Sequence, residues 1–229
     1  ALAGIAIGVA ILILVTSVMN GFERELKTRI LQAIPHASIQ GNINKDEVDG
    51  INKSLILNSN VLGAAPYIET QGLLSSGTHL KGVYIFGVDP QHEKNVSTIE
   101  DHFVEGSLGS LQENNYNLVI GDILAIQLGL RVGDSVNILV PETALGLAGI
   151  LPRTKKFKIT GIFSLGAPEI DQSYVYLNID NASKLLRTGD YVHGIRIRYS
   201  NLFNSRDNIK SDLLRINKEF QVNYKASTW

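Results

Sequence analysis

Chemistry is sought first at the five histidines, His36, His79, His92, His102 and His193. An imidazole ligates a metal or moves a proton at neutral pH, but either task needs further groups at a defined spacing. His92 and His102, with Glu93, Glu100 and Asp101 nearby, are the one cluster where a divalent cation comes into question. Neither H-E-x-x-H nor a comparable ligand spacing occurs, and solvated side chains on a polar loop are the commoner origin of such a group, so no metal is expected. Nucleophilic and phosphate chemistry leave no mark either. The chain has no cysteine, no G-x-S-x-G, no P-loop and no G-x-G-x-x-G. The expectation is a protein that does no chemistry itself and needs no cofactor.

Binding is the better prospect, and VPETALGLAGILPRTKKF, Val140 to Phe157, carries it. Eight residues from Ala144 to Leu151 have no polar side chain, and they lie between Pro141 and Pro152 with Arg153, Lys155 and Lys156 directly behind. SVNILV before the segment and KFKITGIF after it read as strands, so a long hairpin is expected with Leu145, Leu147, Ile150 and Leu151 near its tip. Burying each such side chain is worth about 1.5–3 kcal/mol, so leaving all four in water forgoes roughly 6–12 kcal/mol, comparable with the net stability of a domain. Two readings stand: the tip folds back on its own domain, or it inserts into a partner's groove with the cations as a polar rim.

The elements that must hold this hairpin follow from the rest of the chain. At 229 residues and 44% hydrophobic content, one large or two small cores are expected. Lys plus Arg number 21 against 22 Asp plus Glu, so no one-signed field gathers nucleic acid. The absence of cysteine suits a bacterial periplasm as well as a cytosol. The opening ALAGIAIGVAILILVTSVMNGF carries no charge before Glu23, and about 20 helical residues span a bilayer's hydrocarbon layer, so residues 1–22 read as a transmembrane helix. Its start without Met, already inside the apolar run, leads us to expect a fragment. GFERELKTRILQAIP continues as an amphipathic helix, with Phe22, Leu26, Ile30 and Ile34 every four residues and Glu23–Lys27 and Glu25–Arg29 as supporting pairs, ended by Pro35. It reads equally as a motion-transmitting rod and as a solvated linker.

Beyond it short strands and helices alternate. His36–Gln40 and Val61–Tyr67 are expected strands, GLLSSGTHLKGVYIFGVD a hairpin turning near Ser76-Gly77, and Gly121–Leu128 a short helix stopped by Gly129. IRIRY, then a helix with Ile209, Leu213, Ile216 and Phe220 on one face, then QVNYKA, make a strand–helix–strand unit. The polar stretch Glu93–Asn117 is the candidate junction between two lobes, and the class is α+β.

SVMNGFEREL after the apolar helix, ILQAIPHASIQG, AAPYIETQGLLSSG, GVDP, LVIGDILAIQLGLRVGDSV and the proline-bounded hairpin together resemble the LolC/LolE family, the membrane subunits of the bacterial lipoprotein-releasing ABC transporter. MNGFEREL is the specific signal, and the resemblance covers nearly the whole chain. It implies an inner-membrane subunit, with residues 1–22 as its first helix and residues 23–229 as a two-lobed MacB-type periplasmic domain. One lobe would comprise 36–90 with 172–229, and the other 91–171 with a hook hairpin at 141–152. It further implies a cytoplasmic ATPase, a second membrane subunit, lipoprotein cargo and a periplasmic lipoprotein carrier as partners. AAPYIETQGLLSSG and IPHASIQ look more like LolE, the long hairpin more like LolC, and such mixing is similar to LolF, a single subunit that forms homodimers.

Carried over by position, Pro141 to Pro152 match the hook, with Leu145, Leu147 and Ile150 as partner contacts. A neighbouring pad falls on Asn137, Thr154 and Lys155, beside Arg153 and Lys156; the family has arginines at two of the pad positions, and here only Lys155 among the three is charged. Met19 and Phe22 match positions lining an acyl-chain site between subunits; simple lipid-facing or packing positions are the alternative. A MacB-like exporter subunit and an FtsX-like regulator of a cell-wall hydrolase are the rival readings.

Overall fold

The structure is a computed structural model that describes residues 2–33, 35–141, 152–201 and 205–228, with side chains described at 3–21 and from Pro35 onward within those ranges. Helix α1, Leu2–Ala33, runs without a break from the apolar opening into the charged segment. Its stretch Ala3–Gly21 has a mean hydropathy of 2.2 and no part buried against the domain, so it is long and apolar enough to cross a membrane. Within that stretch the Thr16 hydroxyl is satisfied inside the helix by donating to the Leu12 carbonyl at 2.6 Å.

After α1 the chain forms β1 (Ala37–Asn44), α2 (Lys45–Ile56), β2 (Val61–Ser76), β3 (His79–Val88), α3 (Pro90–Val96), β4 (Phe103–Gly106), β5 (Asn117–Gly121) and α4 (Asp122–Leu128). It continues with β6 (Ser135–Val140), β7 (Arg153–Phe163), α5 (Pro168–Asp171), β8 (Tyr174–Asn178), α6 (Ile179–Leu186), β9 (Tyr191–Tyr199), α7 (Ser205–Phe220) and β10 (Lys225–Thr228). The class is α+β, as expected. Local chemistry sets the boundaries. Asn44, Asp89 and Asn178 each cap a helix by accepting from the backbone N–H two residues on, and Gly129 ends α4 in the left-handed conformation at φ +64°.

The strands run in the order β10-β1-β9-β2-β3-β8-β5-β7-β4, and β6 bridges β2 and β7. Following the pairings β2-β3-β8-β5-β7-β6 leads back to β2, so six strands close into a ring without a free edge. The length of β2, 16 residues, makes this possible. Its first half pairs with β9 in the open sheet, and its second half pairs with β3 and, at Leu73–Ser75, with β6. Inside the ring Leu74, Ile85, Leu118, Ile138, Phe157 and Val175 are fully buried. On the open part, α2 and α7 cover the face bearing Ile39, Ile43, Ile195 and Ile197. A second cluster, including Phe86, Val88, Ile99, Leu108, Phe163 and Tyr176, lies outside the ring.

Most of the expected elements are present, several of them longer than the sequence suggested. The helix over Gly121–Leu128, the strand SVNILV and the turn at Gly77, with φ +56°, stand where expected. The stripe on α7 buries Ile209 and Ile216. The expected strand from Gln221 starts only at Lys225, because Asn217 holds Tyr224 by both its N–H, at 2.9 Å, and its carbonyl, at 3.2 Å. Helices α2 and α6 were not anticipated; their polar first turns hide the apolar faces that follow. The polar stretch Glu93–Asn117 contributes Ile99, Leu108 and Leu111 to the second cluster.

Candidate partner-docking site

The hairpin stem is built from alternation. Valines 136 and 140 and Ile138 point into the ring, and β6 pairs with β7 in an unbroken register from Ser135↔Lys158 to Val140↔Arg153. Pro141 and Pro152, both exposed, flank the last pair. Proline has no N–H to extend a ladder, which accounts for its end at this point. The hook residues Leu145, Leu147 and Ile150 lie outside the described residues.

Residues directly opposite in an antiparallel pair share a face, so the register sorts the remaining candidates. Asn137, Thr154 and Lys156 stand together on the outer face of the ring, all exposed. Lys155 and Arg153 belong to the other face. The Lys155 ammonium lies 4.0 Å from the centre of the Tyr116 ring, and that ring meets Phe157 edge-on at 5.7 Å. Arg153 Nη1 donates to the Leu186 carbonyl at 2.5 Å, placing a cation on the C-terminus of α6 and tying the stem to that helix. The structure therefore brings Asn137 and Thr154 together and turns Lys155 away from them.

The closed ring adds neighbours to the outer face that the sequence did not suggest. Through the pairs Ser75↔Asn137 and Leu73↔Leu139, and Ser75↔Leu80 across the next strand, Leu73 and Leu80 share this surface, 44% and 62% exposed. The signal was available in GLLSSGTHLKG, where a tight turn fixes which leucines share a face, but the β2–β6 pairing that places them beside Asn137 is long-range.

The histidine cluster comes apart. His92 Nδ1 pairs with the Asp89 carboxylate at 2.6 Å, Glu93 pairs with Arg196 at 2.5 Å, and Glu100 accepts from the Leu108 N–H at 2.8 Å. On α1, Met19 is 66% exposed; the Phe22 side chain lies outside the described residues.

The MacB-like periplasmic core domain family matches residues 1–209. Among curated proteins, the chain is 36% identical over 222 residues to the lipoprotein-releasing system transmembrane protein LolC of Xylella fastidiosa, covering 96% of this chain and 53% of that protein. It is 35% identical to LolC of Neisseria meningitidis, covering 86% and 48%, and 33% identical to LolE of Haemophilus influenzae, covering 96% and 53%. The chain thus spans about half the length of these relatives. Among solved structures, the periplasmic region of MacB from Actinobacillus actinomycetemcomitans aligns with a TM-score of 0.55 at 14% identity, covering 86% of this chain and 91% of that one. The extracellular domain of the ABC-type transporter YknZ from Gram-positive bacteria aligns with a TM-score of 0.57 at 8% identity, covering 85% and 98%. At these identities the likeness is one of fold.

Proposed function

The chain belongs to the MacB-like periplasmic core domain family, in its LolC/LolE branch, and on that premise we propose that it acts as a membrane subunit of an ABC transporter that releases lipoproteins from the bacterial inner membrane. Helix α1 anchors the subunit, the α+β domain stands in the periplasm, and ATP is hydrolysed by a separate cytoplasmic subunit. A second membrane subunit, identical or homologous, completes the pathway. Acyl chains leave the bilayer beside Met19 and Phe22, and the cargo passes to a periplasmic carrier docked on the hairpin.

The observation that supports docking is the hairpin stem. A ladder locked into a closed ring, and tied to α6 through Arg153, is a rigid base for the apolar tip bounded by Pro141 and Pro152. Rigid presentation lowers the entropy lost when a partner binds. Leu145, Leu147 and Ile150 are assigned the buried contact, with Asn137, Thr154 and Lys156 as a polar rim and Leu73 and Leu80 extending it. Lys155 and Arg153 support the stem.

The test is binding of the chain in detergent to the periplasmic lipoprotein carrier of the same organism, beside a Leu145→Asp, Leu147→Asp variant. An anchor residue contributes about 2 kcal/mol or more, so binding is expected to weaken by roughly thirtyfold or more for each, with the melting temperature unchanged. Equal binding by both proteins refutes the hook assignment. A matching loss of thermal stability assigns the tip to its own domain instead.

A further inference from the structure

The turn between α2 and β2 carries apolar side chains that the fold leaves uncovered. Ile56, Leu57 and Leu62, all within residues 56–62, are 62%, 78% and 58% exposed. Turns are usually built from glycine and short polar residues, so three large apolar side chains around one mark a surface that meets something else. The turn is not free to fold back. Asn58 Nδ2 donates to both Asp212 oxygens, at 3.2 and 3.0 Å, its Oδ1 accepts from the Asn60 N–H at 3.0 Å, and its carbonyl accepts from the Val61 N–H at 2.9 Å. Asp212 is buried and also accepts from the Tyr199 hydroxyl at 2.9 Å, which pins the turn to the core of the open sheet.

The strands tell which way the turn points. No part of Ala3–Gly21 is buried against the domain, so β1 does not turn back along α1, and the start of β1 is the membrane-facing end of the open sheet. Strand β9 pairs antiparallel with both β1 and β2, so both begin at that end and the α2–β2 turn lies there. Register gives its reach. Ala37 faces Ile197 and Val61 faces Tyr199, so β2 starts two residues, about 7 Å, nearer the membrane than Ala37, with the turn and its side chains beyond it. Past Gly21, α1 adds residues 22–33, about 18 Å of helix. The turn spans much of that gap, and a tilt of about 20°, ordinary for a membrane-crossing helix, lowers one side of the domain further.

Charge along α2 is ordered the same way. Lys53 lies one helical turn from Ile56 and Leu57 on the same exposed face, and the exposed Asp49 and Asp46 follow farther from the membrane. From the turn upward this face reads apolar, cationic, anionic. An anionic bilayer surface favours that order, with aliphatic side chains in the interface, an ammonium among the headgroups and carboxylates withdrawn. Helix α7, which starts at the same end, exposes Arg206, Asp207 and Lys210 there, again with a cationic excess. We propose that the α2–β2 turn rests on the bilayer that α1 crosses, with Ile56, Leu57 and Leu62 dipping into the interface and Lys53 on anionic headgroups. The domain is then held to the membrane at two points, which fixes its lean. This contact is independent of carrier docking and requires only that α1 crosses the membrane.

The absence of cysteine allows a single label to be placed at will. Ser59→Cys, exposed in the turn, is coupled to a polarity-sensitive fluorophore, and the whole chain is reconstituted into vesicles of phosphatidylcholine and phosphatidylglycerol whose acyl chains are brominated near the headgroup, where bromine quenches on contact. The label is expected to lose at least about half its emission, and the same label in a Leu57→Asp, Leu62→Asp background to lose no more than one at Ile126→Cys. Ile126 is 78% exposed on α4, which follows β5, a strand running in the same sense as β2 and so away from the membrane. A label at Val15→Cys reports whether α1 itself is inserted; if it is not quenched, the anchor is refuted and the proposal with it. With Val15→Cys quenched, a label at position 59 no more quenched than one at 126, or equally quenched in the aspartate background, overturns the proposal. Equal quenching in vesicles of phosphatidylcholine alone overturns the choice of an anionic surface, and a blue shift that tracks protein density rather than bromination gives the turn to a neighbouring copy instead.

Discussion

Replacing Glu93 by alanine strands a cation inside the protein. Glu93 is 1% exposed and Arg196 is 8% exposed, and their contact at 2.5 Å joins α3 to β9. Removing one partner of such a pair leaves an uncompensated buried charge, which costs about 3–5 kcal/mol. Each kcal/mol moves the melting temperature of a domain this size by roughly 2–4 °C, so Glu93→Ala should melt about 6–20 °C below the unaltered chain. The pair itself is imperfectly served, since Glu93 Oε1 and Arg196 Nε have no partner among the described residues. Exchanging both for methionine should therefore recover most of the loss, because apolar replacements of similar volume are often neutral or better. The assay is thermal unfolding followed by circular dichroism for Glu93→Ala, and for Glu93→Met, Arg196→Met and the double methionine variant, the last three read as a double-mutant cycle. A double variant as unstable as the sum of the singles, or single variants within about 1 kcal/mol of the unaltered chain, would refute the reasoning.

Gly121 ends β5 against α5, and a Cβ built there would lie 2.2 Å from the Asp171 carbonyl oxygen, with the neighbouring contacts also backbone. Gly121→Ala should cost about 3 kcal/mol or more, because backbone cannot swing aside, whereas Gly82→Ser, with open space around it, should stay within about 0.5 kcal/mol; chemical denaturation of both checks this. At high pH five phenols matter. Tyr67, Tyr174, Tyr176, Tyr199 and Tyr224 are all raised above 10.0, each chiefly by burial, and Tyr224 is pushed up to about 12 with help from its hydrogen bond to Glu47. A raised phenol holds its proton more tightly in the folded state than in the unfolded one. Its contribution is complete below about pH 10 and is lost as pH rises through the folded values, so the melting temperature should fall steadily above about pH 10. Tyrosinate absorbance should appear together with unfolding; free titration near pH 10 in a protein that stays folded would contradict this.

How much was legible in the sequence differs from element to element, for physical reasons. Periodicity over short windows located α7, β6 and the Gly77 turn, because each is fixed by neighbours in sequence: an apolar stripe, an alternation, a glycine that accepts positive φ. An uncharged opening of about 20 residues identified a helix able to cross a membrane by length alone. The apolar segment between Pro141 and Pro152 announced a hairpin in the same way, and the motifs around MNGFEREL pointed to the family that the comparisons then showed.

Tertiary structure decided what lies opposite what. Nothing in SVNILV reveals that β6 pairs with β2 as well as β7, yet that pairing closes the ring and sets Leu73 and Leu80 beside Asn137. The register, not the composition, turned Lys155 toward Tyr116 and left Lys156 on the outer face with Thr154. Glu93 and Arg196 lie 103 residues apart, and the aromatic rings beside them come from the β2–β3 hairpin and from β8, which is distant from it in the chain. That successive side chains alternate along a strand is a local property with a period of two residues, so the sequence alone determined which residues of one strand share a face. Which strand becomes the neighbour is set by closure of loops across the whole chain, and only the folded protein records it.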